Sequence, residues 1–398
     1  MNPSSQQPFI SQPPGCIRGT LFAHADFVLT GVVMTLLGPM LPVLSARWSL
    51  SDAQAGYLFI AQFVSSTAGM LVSGLLARRL SYRRTMLLGL LVMAAGMGLL
   101  ARADWTFGLV AVAIFGAGFG ITTPAVNLFI ADANPGRRAA ALSLVNASWG
   151  IGALSSPLLV AAAERAQRPA LFLYGMTGAL MVLAVCLLPV RFASDLHPAG
   201  VELAGRAGKG ASRGLVILIT AIFFIYVGTE TSIGGWVASY AERLAPASLD
   251  LWAMTPAFFW GALLLGRVLA PLALRRASEV SVACGGLGIA VLGVGMLLAA
   301  KGMGEIMLGA SVAGLGLAAI YPINVSLLRH WFGESVSAVS GTIFSAGNLG
   351  GAALPWLVGA LSSHGGGLRV GFAVPLLGAV MLLGFYLRQA AGKVAGMA

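Results

Sequence analysis

The chain has 398 residues, of which 58% are hydrophobic and only 9% charged, whereas a soluble domain carries about a quarter charged residues. With a mean hydropathy of +0.88, this composition excludes a soluble enzyme or binding domain and leaves an all-α polytopic membrane protein. The net charge of +11 would suit nucleic acid if it were gathered on one surface, but it is spread over short loops.

In chain order, residues 1–18 are polar and Pro-rich, without a basic leader or cleavage site, and read as a disordered cytoplasmic N-terminal tail. Apolar stretches of about 20 residues then follow one another. Twelve spans are predicted at 19–43, 53–77, 84–101, 106–131, 139–163, 170–190, 214–240, 251–274, 280–299, 304–328, 335–361 and 368–387. Spans one to six make an N-terminal bundle over 19–190, and spans seven to twelve a C-terminal bundle over 214–387. The polar, basic segment 191–213 links them on the cytoplasmic side, and 388–398 is a cytoplasmic C-terminal tail.

Placing both termini in the cytoplasm puts sixteen Lys and Arg in cytoplasmic segments against seven outside, with Arg267 alone inside a span. Such a bias sets orientation. It accounts for the basic balance without an anionic partner, and the expected location is a bacterial-type inner membrane. Cys16, Cys186 and Cys284 have neither metal nor redox spacing and read as packing residues.

The halves repeat each other. "GAGFGITTP" in span four (Gly116, Gly118, Pro124) matches "GLGLAAIYP" in span ten (Gly314, Gly316, Pro322). "GIGALSSP" in span five (Gly152, Pro157) matches "NLGGAALP" in span eleven (Gly350, Pro355), and all five pairs stand 198 residues apart. One spacing shared by separate segments indicates a duplicated six-helix unit, the layout of alternating-access transporters.

Twelve spans, the duplication and basic loops after spans two and eight resemble the major facilitator superfamily over nearly the whole chain. Its signature G-x-x-x-D-R/K-x-G-R/K-R/K is matched in "GLLARRLSYRR" by Gly74, Arg79, Arg83 and Arg84, while Arg78 stands at the acidic position and Ser81 at the second glycine. The second-half loop "GRVLAPLALRRAS" keeps Gly266, Arg267, Arg275 and Arg276. The resemblance implies gating by Gly74, Arg79, Arg83, Arg84, Arg267 and Arg275, and a monomer. "TLLGPMLPVL", "YVGTETSIGGWVASY" and "AAIYPINVSLL" are most similar to the fucose/glucose/galactose/hexose (FHS) permease branch, which contains proton-coupled sugar symporters and relatives of sodium-dependent glucose transporters. Fucose permeases carry acidic residues near the positions held here by Gly38 and Thr122, so their coupling mechanism does not transfer residue by residue.

An ionisable residue inside a span is costly unless it faces a cavity or a partner. Glu230, midway along span seven, is read as a substrate acceptor or coupling group, with a structural carboxylate as the alternative. Tyr226, one turn inward, and Trp236 on the same span are candidate sugar contacts, since an aromatic ring stacks on a sugar face while its polar edge bonds a hydroxyl. Asn127, Asn146, Asn324 and Asn348, two from each half, offer donors and acceptors suited to neutral polyhydroxy ligands; helix-to-helix bonding is the alternative for each. Gln62 and Trp149 complete the candidate substrate set. Asp26, near the start of span one, is a second coupling candidate or a gate residue able to reach Arg329.

These readings converge on a secondary active transporter of a monosaccharide or sugar-like solute, working by alternating access and coupled to a proton or sodium. No G-x-x-x-x-G-K-[ST] phosphate loop is present, so ATP is not the driver, and neither a cofactor nor a metal is expected. Two rivals stand beside this: proton-coupled efflux of amphipathic drugs or metabolites, and a membrane enzyme. The enzyme lacks support because the four histidines are scattered and no nucleophile–base pair is evident.

Overall fold

A computed structural model describes residues 14–190, 213–245, 251–333 and 336–392. Its helices are α1 Pro14–Thr35, α2 Leu37–Trp48, α3 Asp52–Arg79, α4 Tyr82–Leu100, α5 Trp105–Ala133, α6 Arg138–Arg165, α7 Pro169–Leu187, α8 Arg213–Leu244, α9 Leu251–Leu274, α10 Glu279–Ala299, α11 Met303–Leu317, α12 Ile320–Phe332, α13 Val336–Ser363, α14 Gly367–Gly371 and α15 Ala373–Ala390. Among the described residues there is no strand, as the bilayer demands of a chain that must satisfy its backbone within each segment. Among the described residues, eleven helices or near-continuous helix pairs are long and apolar enough to cross a membrane, and α1 with α2, bent by 42°, makes the twelfth if the pair is one span.

Three of the predicted spans are interrupted. Span one breaks at Leu36, three residues before Pro39, whose missing N–H and ring disrupt the helix at the Thr35 carbonyl. Span ten breaks at Ala318 and Ala319, just before Pro322. Span twelve begins with the short α14 before α15. Residues 14–18 of the predicted tail are helical, and so are 388–390 at the other end; the predicted tail residues 1–13, most of the predicted 191–213 linker and the tail residues 393–398 lie outside the described residues. Cys186 is exposed on α7, a correction to its reading as a packing residue, while Cys284 is half-buried.

The repeat seen in the sequence is a repeat of contacts. Gly152 of α6 lies so close to α1 that a methyl group there would overlap the Val28 carbonyl, and Gly350 of α13 stands in the same relation to the Phe224 carbonyl of α8. Gly116 of α5 meets the Gln62 carbonyl of α3, as Gly314 of α11 meets the Phe259 carbonyl of α9. Small residues allow this approach where lipid provides no hydrophobic drive for helix association. The two six-helix bundles then meet mainly through α3 with α13, α6 with α9 and α2 with α8.

Gly152→Ala and Gly350→Ala are each expected to cost about 1–3 kcal/mol through forced helix separation. Gly175→Ala and Gly285→Ala, where a methyl group meets nothing within 4 Å, serve as controls. Midpoints of thermal unfolding in detergent check this: the first pair falls and the second does not.

Candidate functional site

Glu230 of the second bundle is engaged by two polar partners. An Arg267 guanidinium nitrogen lies 3.3 Å from a Glu230 carboxylate oxygen, and the Tyr226 hydroxyl, one helical turn away, donates to that same oxygen. The Tyr226 hydroxyl also stands 3.5 Å from the Leu317 carbonyl, which the break between α11 and α12 leaves free. The Tyr321 ring lies 6.0 Å from that of Tyr226. Tyr321 also packs against Phe223 of α8 with ring centroids 6.1 Å apart, and it is 38% exposed. Arg267, a gating candidate from the sequence, is the counter-ion of Glu230. The pair brings two charges into the membrane at net zero, a far smaller penalty than a lone carboxylate.

Among the described residues the first bundle shows no such pair, and its fully buried carboxylate is Asp26 on α1. One carboxylate oxygen accepts from the Thr122 hydroxyl of α5 at 2.8 Å; the other has no hydrogen-bond partner. The Arg329 side chain lies outside the described ones. The nearby His24 Nδ1 is 2.7 Å from the Ser148 hydroxyl of α6, on a different face from Asp26.

Most of the remaining candidates are occupied within the protein. Asn127 and Asn146 fold back onto the carbonyls one turn earlier, Thr123 at 3.1 Å and Leu142 at 2.7 Å; Asn127 is half-buried and Asn146 exposed. Asn324 is buried, its oxygen accepting from the Tyr386 hydroxyl of α15 at 2.5 Å while its amide nitrogen has no hydrogen-bond partner. Asn348 reaches across to the Met70 sulfur of the other half at 3.3 Å. Gln62 donates to the Met34 carbonyl at 2.7 Å, beside the span-one break. Trp236 is buried and donates to the Pro355 carbonyl at 2.8 Å, which makes it a bundle fastener. Trp149 is half-buried at the boundary between the halves, edge-on to Trp260 with ring centroids 5.9 Å apart. Of the gating set, Gly74 is half-buried and has no neighbour within 4 Å of an added methyl. Arg83 donates to the Leu188 carbonyl at 2.7 Å, and Arg79, Arg84 and Arg275 are exposed.

At the end of the bundle opposite Pro14 and Gly392 the halves are clamped together. Asp52, at the start of α3, takes both guanidinium nitrogens of Arg243, the second at 2.7 Å, from the end of α8. The Ser362 hydroxyl of α13 donates to Asp52 at 2.5 Å, and the Ala53 N–H donates to Ser363 at 2.9 Å. One turn in from this, Tyr57 packs on Trp356. That end is therefore held shut by contacts between the two bundles. Sequence reasoning passed over this clamp because Arg243 read as a loop charge. The cue was "SLSDAQ", an N-cap box that holds Ser51 and Gln54 rigidly around Asp52.

Comparison with known proteins places this geometry in a family. The chain is 25% identical over 364 residues to the "Glucose/mannose transporter GlcP" of Bacillus subtilis (strain 168), covering 86% of this chain and 88% of that one. It is 26% identical over 372 residues to a "Glucose/galactose transporter" of Brucella abortus biovar 1 (strain 9-941), covering 88% and 89%. Its fold is similar to that of the E. coli fucose:proton symporter FucP (N162A), with a TM-score of 0.62 at 18% identity over 94% of this chain and 98% of that one. The family model described as Major Facilitator Superfamily matches residues 27–300, and with two bundles of repeated helix contacts, the chain belongs to the major facilitator superfamily.

Proposed function

We propose that this protein carries a neutral monosaccharide or a closely similar polyol across a bacterial-type inner membrane by alternating access, in symport with protons. The observation that carries the proposal is the Glu230–Arg267 pair with Tyr226 and Tyr321 beside it. This is a strongly hydrogen-bonding site of zero net charge walled by aromatic rings, which suits hydroxyl groups on a ring with an apolar face. The printed names of the two relatives, a glucose/mannose and a glucose/galactose transporter, support a sugar as cargo. With both termini cytoplasmic, as the basic loops require, the closed far end is the outer one. The bundles divide at 19–190 and 214–387.

The two coupling candidates now take different roles. Glu230 has its counter-ion in Arg267, so it serves as the acceptor for substrate hydroxyls. Asp26 has no cation among the described residues and one free carboxylate oxygen, so it is the proton carrier. A proton fits the lone buried carboxylate of Asp26, whereas other relatives bear the name "Sodium-dependent glucose transporter".

Uptake of radiolabelled hexoses, pentoses and polyols into proteoliposomes tests the proposal. Glu230→Gln is expected to raise the half-saturation concentration of the best sugar about tenfold or more, the value of one charge-assisted hydrogen bond, while the proton gradient still drives what uptake remains. If the wild type moves no sugar, the sugar reading falls and efflux of amphipathic solutes replaces it.

A further inference from the structure

Trp260 was not among the residues that the sequence singled out. It sits on α9, 7% exposed, packed against Gly234 so closely that a methyl group there would overlap its ring, and edge-on to Trp149 across the boundary between halves. Its indole nitrogen is buried without a hydrogen-bond partner. A buried donor left unpaired costs free energy, and native proteins retain few such groups without a reason.

Packing alone does not supply that reason. The carbonyl contacts of Gly116 with Gln62 and of Gly314 with Phe259 put α3 and α9 in register, so Phe63 occupies in the first bundle the place of Trp260 in the second. Phe63 fills its position with a phenyl ring, lying against Gly351 of the opposite half. The fold is thus served by an aromatic ring at this level. The N–H is an addition confined to the bundle that also holds the Glu230–Arg267 pair.

The two features share one wall. Trp260 and Arg267 are seven residues apart on α9, two turns along the same face, and Gly234 lies one turn from Glu230 on α8, an axial rise of about 6 Å. A ring bonded to Glu230 at one edge therefore brings its other edge to Trp260, with the Trp149 ring alongside. We propose that Trp260 is a specificity-determining residue: its indole N–H donates to one particular hydroxyl of the sugar, on the side of the ring away from Glu230, once the halves rock apart at Trp149. This rests on the reading of the cargo as a sugar.

The test pairs a variant with deoxygenated substrates. Counterflow is measured in proteoliposomes for the best transported hexose and its set of monodeoxy analogues, with wild type, Trp260→Phe and Trp260→Tyr. Trp260→Phe is expected to raise the half-saturation concentration of the parent sugar about tenfold and that of every analogue but one by a similar factor. For the analogue that lacks the recognised hydroxyl, wild type and Trp260→Phe coincide. Trp260→Tyr, which keeps a donor, recovers part of the discrimination.

A penalty that is equal for all analogues, or none at all, overturns the inference and leaves sugar transport standing. A wild type that moves no hexose overturns both. Should Trp260→Phe fail to fold, wild-type protein with 15N-labelled indoles decides the matter. The N–H resonance absent from Trp260→Tyr must shift on addition of the hexose, and an unmoved resonance overturns the proposal.

Discussion

Asp26→Asn is expected to abolish gradient-driven accumulation while leaving sugar exchange close to wild type. The physical ground is the setting of the carboxylate: fully buried, bonded once to the Thr122 hydroxyl, and left with one oxygen free. An ionised group there without a counter-ion costs several kcal/mol. Picking up a proton in one state of the cycle and releasing it in the other is the chemistry that such a group supplies. Asparagine keeps the shape and the bond to Thr122 but carries no proton, so both conformations stay reachable and the linkage to the gradient is lost. A pH difference of one unit is worth about 1.4 kcal/mol per proton, or about tenfold in accumulation. Steady-state accumulation in proteoliposomes should therefore fall from about tenfold to unity, with counterflow preserved. Accumulation that survives in Asp26→Asn and vanishes in Glu230→Gln would return the coupling role to Glu230.

The second large effect concerns the clamp at the far end. Asp52 joins α3 of the first bundle to α8 and α13 of the second through Arg243, Ser362 and Ser363, and all of these contacts must part for that end to open. Arg243 is 45% exposed while Asp52 is 11% exposed, so solvent screens the attraction. Its loss is worth about 1 kcal/mol, or about fivefold in the ratio of the two states. Asp52→Asn and Arg243→Gln are both expected to raise the population open at the far end by this factor. Spin labels at Ala166 and His364, which are exposed on the two bundles near that end, would report a longer distance population after replacement of the native cysteines. The exchange Asp52→Arg with Arg243→Asp should restore closure only in part, because a cation at the first turn of α3 opposes the helix dipole. An unchanged distance distribution in the single variants would mean that Tyr57, Trp356 and the α2–α8 contact hold that end without the ion pair.

The sequence by itself determined the architecture. Hydropathy located twelve spans because lipid leaves backbone groups no partner outside their own segment, and eleven of the twelve observed spans begin within two residues of the predicted position. The 198-residue repeat located the helix crossings because only glycine lets backbones approach so closely, and the same glycines recur at the same contacts in both halves. It also singled out Glu230 and Asp26, since a carboxylate within an apolar run is costly wherever it points.

Which partner each polar group takes was decided by tertiary structure alone. Glu230 and Arg267 are 37 residues apart on antiparallel helices, and Asp26 and Thr122 are 96 apart; neither spacing carries a periodicity that sequence can reveal. The four asparagines show the same limit from the other side. An amide inside a span is engaged equally well by the carbonyl one turn back, as in Asn127 and Asn146, by a tyrosine on another helix, as for the oxygen of Asn324, or by a hydroxyl of the cargo. The choice depends on what stands within 3 Å of it once the bundle has closed. Trp260 belongs here too, since its missing partner becomes visible only when the packing around its ring is known.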